Sequence, residues 1–230
     1  MKLSETKPAW EQQASENVTR QYGGNVRPTI DHFERTSLPG ERQRLQKWDM
    51  IPSADFVQRI AGEFVKQNSQ DLFKDKNVIL FSLPGAFTPV CSSKMLPAYE
   101  EMYDRFKNAG IDEIYCVSVN DGFVLNAWAE SLGIEKVKML ADGNGDFTDS
   151  MGMLCSKRGK GFAMRSWRYS CYIKNNIIME AYVEPGFNHK DEDNDPYEVS
   201  DPETIAQFIE AENRYTLKYN YERCISYRWI

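Results

Sequence analysis

Residues 78–91, Val78-Ile-Leu-Phe-Ser-Leu-Pro-Gly-Ala-Phe-Thr-Pro-Val-Cys91, contain both the first strand of the predicted fold and the candidate reactive residue. Its apolar run, residues 78–83, predicts a short buried strand. Pro84 and Gly85 then predict a tight turn, and a helix is expected from about Cys91 to Asn108, ending near Gly110. A strand followed at once by a turn and a helix begins a parallel βαβ unit.

The sections that follow continue this alternation. Residues 114–119 read as a second buried strand and residues 137–140 as a third strand, with a helix at residues 121–132 between them. A short helix is expected at 147–154. Residues 168–173 and 177–183 then flank a turn containing two asparagines, which predicts a β-hairpin. A last helix opens at Ser200, whose spacing from Glu203 matches a capping box, and runs to Ala211. The order βαβαβ, hairpin, helix predicts a thioredoxin-like α/β fold.

The predicted organisation is a single domain with an N-terminal extension. Residues 1–52 contain few aliphatic side chains and are assigned to the extension, residues 53–212 to the domain, and residues 213–230 to a C-terminal tail. A helix capped by Ser53 is expected at the start of the domain, because apolar residues recur there at helical spacing. These residues are Phe56, Val57, Ile60, Phe64 and Val65.

Composition excludes several classes of protein. The chain has 230 residues, is 41% hydrophobic and has a net charge of -6, without the basic stripe of a nucleic-acid surface. It contains no apolar run long enough to cross a bilayer and no N-terminal signal-peptide pattern. Its five cysteines include no C-x-x-C pair. This argues against a zinc site and a disulfide framework, and it predicts a reducing compartment, which we take to be the cytoplasm.

Cys91 is the candidate nucleophile among these thiols. At the start of a helix it meets partial positive charge and unpaired N–H groups, both of which stabilise a thiolate. Thr88, three residues earlier, can cap this helix and bring a hydroxyl beside the sulfur. Pro84 and Pro89 restrict the loop and can shield the sulfur from water.

A thiolate also needs a lasting positive partner. Arg168 begins a strand that is expected beside the first one, and its guanidinium stays charged at any working pH. Only two histidines exist, His32 and His189, and both are expected in surface loops. A Cys–His hydrolase therefore has little support.

These residues carry a family resemblance. The motif Pro84-x-x-x-Thr88-x-x-Cys91 resembles the peroxiredoxin active-site pattern, and blocks at residues 117–124, 140–147 and 160–170 extend the match over about residues 71–211. The chain is similar to the type II (peroxiredoxin-5-like) branch, especially to the peroxiredoxin half of bacterial peroxiredoxin–glutaredoxin hybrids. The resemblance implies that Cys91 is the peroxidatic cysteine, that Thr88 binds the peroxide, that Pro84 shields the site and that Arg168 is the essential arginine. Arg165 is either a supporting charge or a solvated surface residue.

The resemblance also implies an activity. A thiol-dependent peroxidase would reduce hydrogen peroxide and alkyl hydroperoxides through a sulfenic acid on Cys91, without a metal or an organic cofactor. Glutathione, a glutaredoxin or a thioredoxin would be the reductant. The branch pairs edge to edge near the positions of Phe87 and Phe123, so a homodimer is expected. A redox sensor or a holdase using the same cysteine is the second hypothesis. A thiol–disulfide oxidoreductase is disfavoured because there is no C-x-x-C.

Two departures from the family bear on the mechanism. Met95 stands where many relatives have a histidine, and no C-P-x-C motif follows residue 211, so a separate reductant is expected. No resolving cysteine is obvious. Cys116 and Cys171 lie in apolar strands and are expected in the core, which leaves Cys155 and Cys224, if exposed or mobile, as candidates. A one-cysteine mechanism is favoured over resolution by either.

Overall fold

The computed structural model describes residues 44–190 and 195–226, with side chains up to Tyr215. Within these ranges the strands are β1 (Asp55–Ile60), β2 (Glu63–Asn68), β3 (Asn77–Ser82), β4 (Glu113–Ser118), β5 (Lys138–Ala141), β6 (Leu154–Ser156), β7 (Met164–Ser166), β8 (Tyr169–Lys174) and β9 (Ile177–Val183). The α-helices are α1 (Ser69–Phe73), α2 (Leu96–Glu101), α3 (Tyr103–Asn108), α4 (Gly122–Ser131), α5 (Asp146–Ser150) and α6 (Pro202–Ser226). A π-helical turn, Cys91–Met95, precedes α2, and a short 3₁₀ helix spans Arg158–Lys160.

A five-stranded mixed sheet in the order β5-β4-β3-β8-β9 forms the centre of the molecule. β3 pairs in parallel with β4, and β4 in parallel with β5, whereas β8 is antiparallel to both β3 and β9. Asn175 and Asn176 turn the chain between β8 and β9 with positive φ angles of 47° and 67°. The predicted thioredoxin-like order, including the hairpin, is confirmed.

β3 is buried on both faces, and its alternate side chains divide the core into two layers. Ile79 and Phe81 join the layer that contains Cys91, Trp128 and Ile205. Val78 and Leu80 point the other way, into a layer with residues of β1, α1 and α5. This alternation is expected of a strand that is covered on both sides. The reactive segment after β3 therefore begins in the middle of the molecule.

The helix predicted from Ser53 is wrong, because this segment forms the antiparallel hairpin of β1 and β2. The chain reverses at Ala61 and Gly62, whose φ angles of 49° and 86° suit a tight two-residue turn. The apolar residues whose spacing predicted a helix are divided between these two short strands. Phe56 enters the core, whereas Phe64 stays 65% exposed.

Three other helix predictions need smaller corrections, and the helix expected at 147–154 ends at Ser150, since Leu154 already lies in β6. The helix expected over residues 91–108 is divided into the π-helical turn, α2 and α3, with a break at Met102. The last helix begins at Pro202 and continues to Ser226, beyond the predicted end at Ala211. Asp201, not Ser200, caps it by accepting the N–H groups of Glu203 and Thr204.

The predicted domain boundaries remain predictions. Ile51 is buried in the core, and the Trp48 N–H donates to the Ile178 carbonyl at 2.7 Å, so residues just before position 53 pack on the sheet. Most of the predicted extension, residues 1–43, lies outside the described residues. No helix within the described ranges is both long and apolar enough to cross a membrane.

Candidate active site

Cys91 lies at the start of the helical segment that follows β3. A loop from Leu83 leads to Thr88, whose carbonyl accepts the Ser92 N–H at 3.0 Å. Thr88 therefore occupies the cap position, and Cys91 falls in the first turn, as predicted. The Cys91 side chain is fully buried. The helix start and the low-polarity surroundings place the sulfur where N–H groups act on it most strongly.

The turn that follows, Cys91–Met95, is π-helical. The Leu96 N–H donates to the Cys91 carbonyl, five residues earlier, in place of the usual four. Pro97 follows at the start of α2 and has no N–H to offer. Single π turns occur frequently at functional sites. This turn brings Met95, also fully buried, into the same part of the core as Cys91.

Arg168 approaches Cys91 from the neighbouring strand. Tyr169 pairs with Ser82 at the end of β3, so Arg168 comes just where the chain leaves the sheet toward Cys91. Its Nη1 lies 3.6 Å from the Cys91 Sγ and donates to the Met95 Sδ at 3.3 Å. The sequence places these partners 77 residues apart, and the antiparallel register joins them. The predicted charge partner of Cys91 is thus in contact with it.

Three residues of one segment hold the other side of the Arg168 guanidinium. Its Nε donates to the Pro196 carbonyl at 2.9 Å, its Nη2 forms an ion pair with Asp195, and the Tyr197 ring lies 5.6 Å from its Cζ. Burial works against the charge, but the interactions with Cys91 and Asp195 outweigh it, so the pKa of Arg168 is raised. Arg168 is therefore cationic at any physiological pH.

Thr88 and Pro84 shape the loop around the sulfur. The Thr88 hydroxyl donates to the Gly85 carbonyl at 2.8 Å, which closes the turn, and Pro84 is buried at its start. Because this proton is used within the loop, the hydroxyl oxygen meets any ligand as an acceptor. Phe87, with a φ of 60°, points outward and is 59% exposed.

Arg165 supports this loop through hydrogen bonds to the backbone. Its Nη1 donates to the Val119 carbonyl at 3.0 Å, and its Nε donates to the Phe162 carbonyl at 2.9 Å. A Cβ on Gly85 would lie only 3.0 Å from this Nη1, so the turn and Arg165 are closely packed. Arg165 is half-buried rather than fully solvated, and this burial lowers its pKa.

Two groups that organise the site were not singled out from the sequence. The Asn120 Oδ1 accepts the Ala86 N–H at 3.1 Å and the Ser118 hydroxyl at 2.7 Å, which ties the loop to the end of β4. A polar residue directly after a buried strand was the available signal. The second group is Glu184, which follows β9 and is buried.

Glu184 anchors the segment that holds Arg168. Its carboxylate accepts the N–H groups of Glu198, Val199 and Ser200 at 2.9–3.0 Å and the Ser200 hydroxyl at 2.7 Å. A buried carboxylate is tolerated because these donors replace water. This role of Glu184 could not be predicted from the sequence around it, because its hydrogen-bond donors lie 14 to 16 residues further along the chain.

The other described thiols are unsuited to rapid reaction. Cys116 and Cys171 are in the core, as predicted, and burial raises the pKa of both. The expectation that Cys155 is exposed is wrong, because this residue is fully buried within β6, opposite Arg165. The side chain of Cys224 lies outside the described residues.

The histidines and metal-ligating groups add no competing site within the described ranges. His32 lies outside the described residues. His189 sits in a loop, as predicted, but packs edge-on against Phe187 with centroids 5.1 Å apart, and burial lowers its pKa. Among residues 44–190 and 195–215, no group of three or more histidine, cysteine or carboxylate side chains is arranged to hold a metal ion.

In this site, a capped turn that follows a strand brings a buried thiol against a buried guanidinium. This arrangement defines a thioredoxin-fold thiol enzyme. In agreement, the family model described as Redoxin matches residues 47–198. A peroxiredoxin from Sinorhizobium fredii, y4vD, is 48% identical over 143 residues, which cover 62% of this chain and 76% of that protein. The hybrid peroxiredoxin hyPrx5 of Haemophilus influenzae is 44% identical over 164 residues, covering 71% of this chain and 66% of the relative.

A solved structure agrees with these relatives. The antioxidant protein of Plasmodium falciparum, described as a 1-Cys peroxiredoxin, superposes with a TM-score of 0.70 at 38% identity, covering 73% of this chain and 99% of that one. The chain therefore belongs to the peroxiredoxin family. It is a thiol-dependent peroxidase, and its relatives include one of the hybrid type that its active-site motif resembles.

Proposed function

We propose that Cys91 is the peroxidatic residue and that the enzyme reduces hydrogen peroxide and alkyl hydroperoxides to water and alcohols. The observation that carries this assignment is the 3.6 Å contact between the Arg168 Nη1 and the Cys91 Sγ in a fully buried site. A permanent cation against a sulfur favours the thiolate, which is the nucleophilic form. No metal or organic cofactor takes part in the proposed reaction.

The proposed reaction is a nucleophilic displacement on oxygen. The Cys91 thiolate attacks the distal oxygen of the hydroperoxide, an S–O bond forms and the O–O bond breaks. The leaving oxygen takes up a proton from solvent, equivalent to the one that Cys91 released on forming the thiolate, so that water or an alcohol departs and Cys91 becomes a sulfenic acid. Arg168 stabilises the charge that moves onto the leaving oxygen. The Thr88 hydroxyl oxygen accepts a hydrogen bond from the peroxide, while Pro84 keeps the loop closed.

We further propose a one-cysteine cycle, in which glutathione or a glutaredoxin reduces the sulfenic acid, with thioredoxin as the alternative. The burial of Cys116, Cys155 and Cys171 supports this, because a resolving thiol must reach Cys91. The similar antioxidant protein of Plasmodium falciparum is itself a 1-Cys peroxiredoxin. Resolution by Cys155 would require β6 to open, and resolution by Cys224 is the remaining alternative. For the compartment we propose the cytoplasm, because the number and spacing of the cysteines do not indicate a disulfide framework.

Stopped-flow oxidation tests the peroxidatic role. Trp167 adjoins Arg168, so its fluorescence offers a signal when reduced enzyme is mixed with hydrogen peroxide or tert-butyl hydroperoxide. We expect oxidation far faster than that of free cysteine, and none in the Cys91→Ser variant. Cys171→Ser is the matched control, because Cys171 is equally buried in the other core layer. A wild-type rate equal to that of free cysteine contradicts the proposal and favours a sensor or holdase.

Mass spectrometry after one equivalent of peroxide tests the one-cysteine cycle. We expect a sulfenic acid on Cys91 that is trapped by dimedone, and a mixed disulfide after glutathione is added. A disulfide between Cys91 and Cys224 or Cys155 would contradict the one-cysteine proposal. The donor that restores activity fastest among glutathione with glutaredoxin, glutathione alone and thioredoxin identifies the reductant class.

A further inference from the structure

A second sulfur shares the cation that faces Cys91. Met95 follows Cys91 by four residues, and its Sδ accepts an N–H from the Arg168 Nη1 at 3.3 Å. The same nitrogen lies 3.6 Å from the Cys91 Sγ. Both side chains are fully buried. A peroxide oxygen that Arg168 binds beside Cys91 therefore also lies beside the thioether.

The chemistry of a thioether differs from that of a thiol in one useful respect. The sulfur of methionine carries a nucleophilic lone pair at every pH, since it has no proton to lose. It reacts more slowly than a thiolate, so reduced Cys91 reacts first. Once Cys91 is a sulfenic acid, a second peroxide that enters the site can oxidise either that sulfenic acid, to a sulfinic acid, or Met95, the other sulfur on Arg168.

We propose that Met95 is a site of oxidation to methionine sulfoxide by a second hydroperoxide bound in the active site, and that this modification slows the enzyme at high peroxide. The proposal rests on the peroxidatic role of Cys91. The Met95 Sδ lone pair attacks the distal oxygen, an S–O bond forms and the O–O bond breaks. The peroxide proton moves to the leaving oxygen, which departs as water or an alcohol. Methionine is oxidised by two electrons and the peroxide is reduced by two.

The product changes the contact on which the site depends. A sulfoxide oxygen is a strong hydrogen-bond acceptor, whereas a thioether sulfur is a weak one. The modified Met95 holds the Arg168 N–H more firmly and withdraws it from Cys91. The change is reversible by reductases of the methionine sulfoxide class. Met95 thus gives the enzyme a loss of activity at high peroxide that can be repaired without replacing Cys91.

The chain provides its own controls. Met151 and Met153 are as buried as Met95, but they lie in the core layer on the opposite face of the sheet. Met50 is 62% exposed and reports oxidation in bulk solvent. Trypsin cuts after Lys94, so Cys91 and Met95 fall on separate peptides, and fragmentation separates Met95 from Met102.

The experiment exposes full-length reduced enzyme to graded hydrogen peroxide and maps sulfoxides by peptide mass spectrometry. We expect Met95 to oxidise about tenfold or more faster than Met151 and Met153, because Arg168 stabilises the leaving oxygen. The excess should disappear in Arg168→Lys and in enzyme unfolded in guanidinium. Activity should fall as the Met95 sulfoxide accumulates, and incubation with a methionine sulfoxide reductase should restore it.

Oxidation of Met95 at the rate of Met151 and Met153 would overturn the proposal, as would an excess that survives in Arg168→Lys. The Cys91 peptide keeps this failure distinct from that of the proposed function. Cys91 sulfenic acid without excess Met95 sulfoxide refutes only the methionine site, whereas an unoxidised Cys91 refutes the peroxidatic assignment. Met95→Leu preserves side-chain volume, so the core should remain packed, but leucine has no sulfur to oxidise. In this variant, we expect the part of the inactivation that reductase treatment reverses to be absent.

Discussion

At the scale of single residues, the Arg168 guanidinium holds the site together. Each of its nitrogens has a different partner: Cys91 and Met95 on Nη1, Asp195 on Nη2, and the Pro196 carbonyl on Nε. A planar fork with fixed donor directions can satisfy all of these at once. The ammonium of lysine has neither the reach nor the geometry to do so.

We therefore predict that Arg168→Lys lowers the rate of Cys91 oxidation although the charge is kept. The loss should be about 100-fold, typical of removing one donor to a developing oxyanion, and Arg168→Ala should lose more. Stopped-flow rates with hydrogen peroxide provide the measurement. Arg105→Lys is the control, because Arg105 forms exposed pairs with Glu203 and Glu210. Equal rates for Arg168→Lys and wild type would show that charge alone is sufficient.

At the scale of elements, the connection between β9 and α6 determines where Arg168 points. Glu184, directly after β9, gathers the N–H groups of residues 198–200, and this fixes the nearby residues 195–197 that contact Arg168. The indole Nε1 of Trp167 donates to the Glu184 carbonyl at 2.8 Å, which ties the same residue to the start of β8. The loop thus depends on one buried carboxylate.

Glu184→Gln should weaken both this loop and the reaction. The new amide presents a donor to backbone donors, which costs about 2–4 kcal/mol of unfolding free energy. Below the unfolding transition, the oxidation rate of Cys91 should still be reduced, because Arg168 is less well oriented. Denaturant unfolding and stopped-flow kinetics measure the two effects. Glu203→Gln, which removes an exposed carboxylate, should leave both nearly unchanged. If the Glu184→Gln enzyme is folded and oxidises Cys91 at the wild-type rate, Glu184 does not orient Arg168.

A second buried carboxylate, Asp142, joins β5 to α5. Burial raises its pKa to about 6, although it accepts the N–H groups of Phe147 and Thr148. The folded state therefore binds the proton more tightly than the unfolded chain does. Its contribution to stability is present below the usual pKa of an aspartate and is lost as the pH rises through about 6.

We therefore predict that the difference in unfolding free energy between wild type and Asp142→Asn depends on pH. As the pH rises from about 4 to 7, the unfolding free energy of wild type should fall by about 2 kcal/mol relative to that of the variant. Urea unfolding across this range measures the difference, and only the slope with pH is compared, since the variant also changes hydrogen bonds. Parallel curves for the two proteins would contradict a raised pKa at this position.

At the scale of the whole molecule, aromatic side chains remain exposed beside the active-site loop and the first hairpin. Phe64 and Phe123 meet edge to face with centroids 5.8 Å apart, and Arg59 lies over both rings. Phe123 is 56% exposed and Phe87 is 59% exposed. Apolar rings capped by an arginine are typical of the centre of an interface. This agrees with the homodimer that we propose from the family resemblance.

We expect wild-type enzyme to sediment as a dimer at micromolar concentration and Phe123→Asp to shift it toward monomer, because a carboxylate is costly in a desolvated contact. Sedimentation velocity distinguishes the two species. Trp48→Asp is the matched control, since Trp48 is also largely exposed but packs near the opposite edge of the sheet, beside β9. Loss of the dimer in Trp48→Asp, with Phe123→Asp unaffected, would place the interface elsewhere.

The sequence by itself determined the order of the central elements and the position of Cys91. Continuous apolar runs identified β3 and β4, a mostly apolar stretch identified β5, and paired asparagines identified the turn between β8 and β9. A strand that is covered on both faces consists of consecutive apolar residues, so it can be recognised from the local sequence. A cysteine placed one turn into a helix after such a strand is equally a local feature. The first hairpin was missed, because its apolar spacing fits a helix and two short strands alike, and only the positive φ angles at the turn decide between them.

Tertiary structure alone decided which groups surround the sulfur. The antiparallel pairing of β8 with β3 brings Arg168 to Cys91, although the two are 77 residues apart in the sequence. The anchored segment brings Asp195 to Arg168, from which it is 27 residues away in the sequence. Such contacts depend on strand order, register and loop anchoring, none of which is written in the neighbourhood of Cys91. The burial of Cys155 and the contact of Met95 with Arg168 follow from the same packing. The stretch of residues 78–91 therefore predicts a reactive thiol, and the packing around it determines the cation and the second sulfur that it meets.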